Sequence, residues 1–152
     1  MAASRLLTTL RGPVVIDASV AVEYLISSPL TPHAQALVRG VVDRDLELWA
    51  PDLLYAESVS ALRKLSRLRA ITSAEGQQAV DDLRRLPIAT TGTRDLMRRA
   101  WALRDAVTPY DACYTVLAEV LDAPFVTADQ RLTRALRGIG AVGIYLGTLS
   151  RV

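Results

Sequence analysis

The sequence predicts an α/β fold in three layers, with a central parallel sheet of about five strands and helices on both faces. Three observations predict it. Short β-rich runs recur at residues 14–17, 46–50, 87–91, 125–128 and 142–146. Longer helical patterns fill the intervals, and strands that alternate with helices pair in parallel because each crossover returns the chain to the same end of the sheet. The chain has 152 residues, 51% of them hydrophobic, which is the size of one ordinary domain with a substantial core to bury.

The first strand is the run Val14, Val15, Ile16, which stops on a bare carboxylate, Asp17, and turns at once into helix-forming residues from Ala18. A second helix starts near Thr31, where "TPHAQALV" sets a threonine before a proline in the first turn. After the strand at 46–50, a helix starts near Asp52 in "PDLLYAESVSALRKLSRL", with an apolar stripe of Leu54, Ala61, Leu65 and Leu68. Helices near Ser73 and Thr93 stand on either side of the strand at 87–91. "TPYDACYTVLAEVL" repeats the Thr-Pro start signal at Thr108. The strand at 125–128 hands over to a helix near Asp129, and the strand at 142–146 completes the sheet. No repeat, low-complexity run or Ser/Gly linker interrupts this order. Residues 14–147 therefore read as one domain, with a lead-in at 1–13 and a short tail at 148–152.

Composition narrows the chemistry. No apolar stretch approaches the ~18 residues that span a membrane, and the apolar part of "MAASRLLTTLRGP" is too short for a secretory signal. A lone Cys113 excludes an intramolecular disulfide and fits a reducing cytoplasm. A lone His33 excludes a zinc site built on several Cys and His ligands, and excludes a two-histidine nuclease. Hydrolysis would have to run on carboxylates. The net charge is only +2, and of the 18 basic residues Lys64 alone is lysine. Arginine suits phosphate geometry, but the coding bias of a GC-rich genome is the plainer reading of that excess.

Four acids stand out. Asp17 and Asp129 each follow a strand, Asp111 opens a helix, and Glu57 falls on the apolar stripe three residues from Leu54 and four from Ala61. Asp17 and Asp129 also read as plain helix caps, each worth about 1 kcal/mol. Asp111 stands three residues after Thr108, as in a capping box. Glu57 has no cap reading; its structural alternative is a buried ion pair with an arginine. In parallel sheets ligands gather at the carboxyl ends of the strands, which is where Asp17 lies. Four carboxylates with one His and no Cys pair form an oxygen-rich set suited to Mg²⁺, or Mn²⁺. Basic residues follow the acids on the same helices: Arg63 and Lys64 after Glu57, Arg131 and Arg134 after Asp129. These four are candidate phosphate contacts, or equally a solvated helix face.

The blocks "VVIDASV", "PDLLYAESVSALRK", "TPYDACYTVLAE" and "APFVTADQRL", in this order, resemble the PIN-domain ribonucleases, and among them the VapC-type toxins of VapBC toxin–antitoxin pairs. The resemblance covers the chain from Val14 to about Gly147 and implies a three-layer PIN-like domain. It implies that Asp17, Glu57, Asp111 and Asp129 are the acidic quartet, with Asp17 and Asp111 as direct metal ligands and Glu57 and Asp129 acting partly through bound water. Ser19 and Thr127 match hydroxyl residues that orient water or carboxylates. The implied activity is a Mg²⁺-dependent endoribonuclease, a cytoplasmic toxin without a membrane segment. Its implied partners are RNA, a VapB-like antitoxin and a second copy of the chain. The lead-in at 1–13 departs from the family, whose toxins often reach the first strand within a few residues of the start.

Other folds that begin with a strand ending in aspartate fit less well. A haloacid-dehalogenase-type phosphatase wants a second Asp two residues on, where this chain has Ser19. A phospho-acceptor receiver domain wants a late lysine, and Lys64 lies in the wrong half. The remaining alternative is a non-cleaving PIN-like module that binds RNA or protein.

Overall fold

Val14, Val15 and Ile16 are each at most 2% exposed in the computed structural model, which describes residues 10–149. Successive side chains of a strand point to opposite faces. Three consecutive buried residues therefore mean that the sheet is covered on both sides, as expected of a parallel sheet. The strands are β1 (Gly12–Ile16), β2 (Leu46–Pro51), β3 (Ile88–Thr91), β4 (Phe125–Thr127) and β5 (Gly143–Tyr145). Every pairing is parallel and the order is β3-β2-β1-β4-β5. The chain builds outward from β1 through β2 to β3, then crosses to β4 and β5 on the other side. The crevice at the carboxyl ends of β1 and β4 is thus the topological switch point where such sheets bind ligands.

Seven α-helices occur among the described residues: α1 (Ala18–Leu25), α2 (Thr31–Val42), α3 (Leu53–Arg67), α4 (Ser73–Leu83), α5 (Thr93–Ala102), α6 (Pro109–Leu121) and α7 (Gln130–Gly138). The three-layer α/β architecture expected from the sequence is the one observed. α6 is the central helix, with every residue from Ala112 to Ala118 buried, and Tyr114 stacks on Phe125 of β4 at 5.8 Å between ring centroids. Among the described residues no helix is long and apolar enough to cross a membrane.

One local expectation changes. The inward line of α3 is Leu54, Ser58 and Leu62 rather than Leu54, Ala61, Leu65 and Leu68. Leu68 is 67% exposed, because the helix ends at Arg67 and the chain turns away there. Asp52 does not cap its own helix. Its carboxylate accepts from Thr93 N at 2.9 Å and from the Thr93 hydroxyl. It thereby supplies the cap that Gly92, the residue before α5, has no side chain to make.

The packed unit also reaches beyond residues 14–147. β1 starts at Gly12, whose φ of 71° is ordinary only for glycine, and Arg11 pairs with Asp45. After the 3₁₀ turn Leu146–Thr148, Leu149 is fully buried and its carbonyl accepts from His33 Nδ1 of α2. The rest of the lead-in and of the tail, residues 1–9 and 150–152, lies outside the described residues.

Candidate active site

Asp17 sits where β1 ends and α1 begins, in extended conformation, and its Oδ1 accepts from Val20 N at 3.3 Å. It is therefore a helix cap, as one reading of the sequence holds. It is also more than that. Ser19 Oγ donates to Oδ1 at 2.5 Å and Thr127 Oγ1 donates to Oδ2 at 2.6 Å. Both hydroxyls are themselves held: Ser19 Oγ accepts from Ala128 N at 2.9 Å, and Thr127 Oγ1 from Asp129 N at 3.1 Å. The two supporting hydroxyls thus tie the end of β1 to the end of β4. Asp17 is only 6% exposed. Burial pushes its carboxyl from 3.8 up to about 6, against the lowering effect of three hydrogen bonds, and the charge of Asp111 adds to the rise.

Glu57, half-buried on α3, has no arginine partner among the described salt bridges. Its Oε1 instead accepts from the Tyr114 hydroxyl at 2.7 Å. Burial raises the Glu57 carboxyl, the tyrosine hydrogen bond lowers it, and Asp111 raises it again. Tyr114 is 1% exposed. Burial and the neighbouring Glu57 push its hydroxyl far above the ordinary tyrosine range, so it stays protonated as a donor. Sequence reasoning missed Tyr114. The available signal was its place three residues after Asp111, on the same side of a helix.

Asp111 lies in the first turn of α6, its N–H bonded to Thr108 Oγ1 at 3.2 Å. Burial raises its carboxyl, and the charge of Asp129 adds to the rise. Asp129 caps α7 through Arg131 N at 2.8 Å and Leu132 N at 3.4 Å. The charge of Asp111 thus adds, after burial, to the rise at Asp17 and at Glu57, as that of Asp129 does at Asp111, which makes the four carboxylates neighbours. Among the described residues no three Asp, Glu, His or Cys side chains lie close enough to enclose a metal ion unaided. That does not disqualify the site for Mg²⁺, which usually keeps several waters and takes one or two carboxylates plus a substrate phosphate.

The four basic candidates separate in space. Arg131 and Arg134 line an open polar cleft of about 510 Å³ that also includes Ser19 and Asp129. Arg63 lines a different groove, between α3 and α4, with Val59, Leu62 and Gly76. Lys64 is exposed on α3 and lines neither.

A parallel sheet with acids gathered at its switch point defines a class of α/β domains, and comparison with known proteins places the chain within it. The sequence profile of the PIN domain matches residues 14–137, and the chain belongs to the PIN-domain family. Its relatives include mycobacterial VapC proteins. It is 35% identical to Ribonuclease VapC3 of Mycobacterium tuberculosis over 130 residues, which is 86% of this chain and 92% of the relative. It is 33% identical to Ribonuclease VapC9 of the same species over 120 residues, covering 79% and 88%. Solved structures share the fold. PAE2754 from Pyrobaculum aerophilum matches with a TM-score of 0.62 at 21% identity, over 90% of this chain and 92% of that one. The Sarcin-Ricin loop cleaving toxin VapC20 of Mycobacterium tuberculosis matches with a TM-score of 0.58 at 12% identity, over 80% and 94%.

Proposed function

We propose that the chain is a metal-dependent endoribonuclease and the toxin of a type II toxin–antitoxin pair. The observation that carries this reading is that hydrogen bonds join the acid-bearing elements at the switch point, Thr127 linking Asp17 to the backbone of Asp129 and Tyr114 linking Glu57 to the helix of Asp111, in a chain whose relatives include VapC ribonucleases. Asp17 and Asp111 would hold Mg²⁺ or Mn²⁺ directly, with Glu57 and Asp129 contributing partly through water. When bound, the ion supplies charge neutralisation at the phosphate and a water of lowered pKa.

The chain's own residues do the positioning. Ser19 and Thr127 hold both Asp17 oxygens in place, Tyr114 holds one oxygen of Glu57, and Asp129 is anchored by the first backbone N–H groups of α7. Fixed carboxylates need no reorganisation as charge develops. The reaction is in-line attack of water on phosphorus with departure of the 3′ oxygen, which leaves 5′-phosphate and 3′-hydroxyl ends. The partners in this reading are RNA, a VapB-like antitoxin whose C-terminal segment covers the acids, and a second copy of the chain, all in the cytoplasm.

The test is sequencing of RNA ends from cells expressing wild type or Asp17→Asn. New 5′-phosphate ends with wild type alone support the reading. RNA binding with no such ends would favour the alternative, a PIN-like module that binds without cleaving.

A further inference from the structure

We propose that the cleft beside the acids is a subsite for one unpaired nucleotide bearing an exocyclic amino group, next to the scissile phosphate. The inference rests on the ribonuclease reading above and deepens it. The cleft measures about 510 Å³ and shares Ser19 and Asp129 with the acid site, so it opens directly off the place of cleavage. Its remaining lining supplies three kinds of contact.

The first is for phosphate. Arg131 and Arg134 stand exposed on the first turns of α7, and among the described residues neither guanidinium has a hydrogen-bond or ion-pair partner. This holds although Glu23 and Asp129 line the same cleft. Two free planar forks suit a phosphodiester oxygen pair.

The second is for a base face. Tyr145 ends β5 half-buried against the cleft. A Cβ on Gly147 would collide with its ring, so the bare glycine leaves the ring its place. Stacking on an aromatic ring is the usual way single-stranded bases are held.

The third is for a base edge. Glu23 follows Ser19 by four residues on α1, hence on the same side of that helix. The Ser28 hydroxyl donates to its carboxylate and orients it. An ionised carboxylate only accepts. Cytosine, adenine and guanine each offer it an exocyclic amino group, whereas the ring N–H of uracil is flanked by two carbonyl oxygens that repel it.

The test uses the full-length chain in EDTA, so that binding is read without cleavage. Inorganic phosphate and the 5′-monophosphates of cytidine, adenosine, guanosine and uridine are titrated while backbone amide shifts are followed by NMR. The expected result is perturbation of residues 128–134 and Tyr145, with uridine monophosphate weaker than the others by about fivefold or more. Arg131→Ala with Arg134→Ala should weaken all four nucleotides. Glu23→Gln, which can both donate and accept, should erase the difference between uridine and the rest. A short single-stranded oligocytidylate should displace cytidine monophosphate. Absence of shifts in the cleft, or base-blind binding that Glu23→Gln leaves unchanged, would overturn the proposal. Failure of the oligonucleotide to compete would also overturn it, since the cleft would then hold free nucleotides. Because no cleavage is measured, any of these failures leaves the nuclease reading standing.

Discussion

Replacing Asp17 by asparagine should stabilise the metal-free protein, and should do so more as the pH rises. The carboxyl of Asp17 is raised from 3.8 to about 6 by burial. A group with a raised folded-state value binds more protons when folded. Its contribution to stability is therefore complete below about 3.8 and is lost as the pH rises through about 6. A difference of that size costs the folded state about 3 kcal/mol at neutral pH. Asparagine cannot ionise, and it keeps one oxygen for a hydroxyl donor. For a chain of this length the removed cost corresponds to a gain of roughly 6–12 °C in melting temperature. The assay is thermal unfolding of both proteins in EDTA, by circular dichroism, from pH 4 to pH 7.5. The informative quantity is how the difference between them changes with pH, because a lost hydrogen bond shifts the whole curve by a constant. Parallel curves across that range would refute the reasoning, since Asp17 would then not be paying for its burial in charge.

Other perturbations act on the same network. Asp111→Asn removes the charge that Asp17 and Glu57 feel, so it should melt above wild type in EDTA and gain little from Mg²⁺. A lower melting temperature would return Asp111 to a capping role. Tyr114→Phe keeps the stack on Phe125 but removes the donor to Glu57; it should stay folded by circular dichroism and lose about tenfold or more in RNA cleavage, about the worth of a hydrogen bond to a charged group. Asp52→Ala strips α5 of its borrowed cap and should cost about 1 kcal/mol or less, because the pair faces solvent; an unchanged denaturant midpoint would discount that cap. RNA affinity should fall with salt, and the slope should be shallower in Arg131→Ala with Arg134→Ala than in Arg63→Ala, as filter binding across a salt series would show.

Much of the site was legible along the chain because its parts mark element boundaries. Asp17 ends a run of β-branched residues, Asp129 follows another strand, and Asp111 stands in a Thr-Pro helix start; each local signal is written within a few residues. Glu57 was legible through helical spacing alone, which located it at the inner edge of α3 without naming its partner. Spacing erred on Leu68, where the helix had already ended.

What the sequence determined by itself was the set of elements and their order, and it marked out the four acids as candidates. These follow from periodicity, caps and breakers, which act over one or two turns of chain. Only the tertiary structure decided which side chains meet. Thr127 reaches Asp17 because the parallel register pairs Val15 with Phe125 and Ile16 with Val126, bringing the ends of β1 and β4 together across 110 residues. Tyr114 reaches Glu57, and Asp52 reaches Thr93, only once α3, α5 and α6 are seated at the carboxyl edge. Strand order and register arise from the burial of both sheet faces at once, a property of the whole core that no short window of sequence contains.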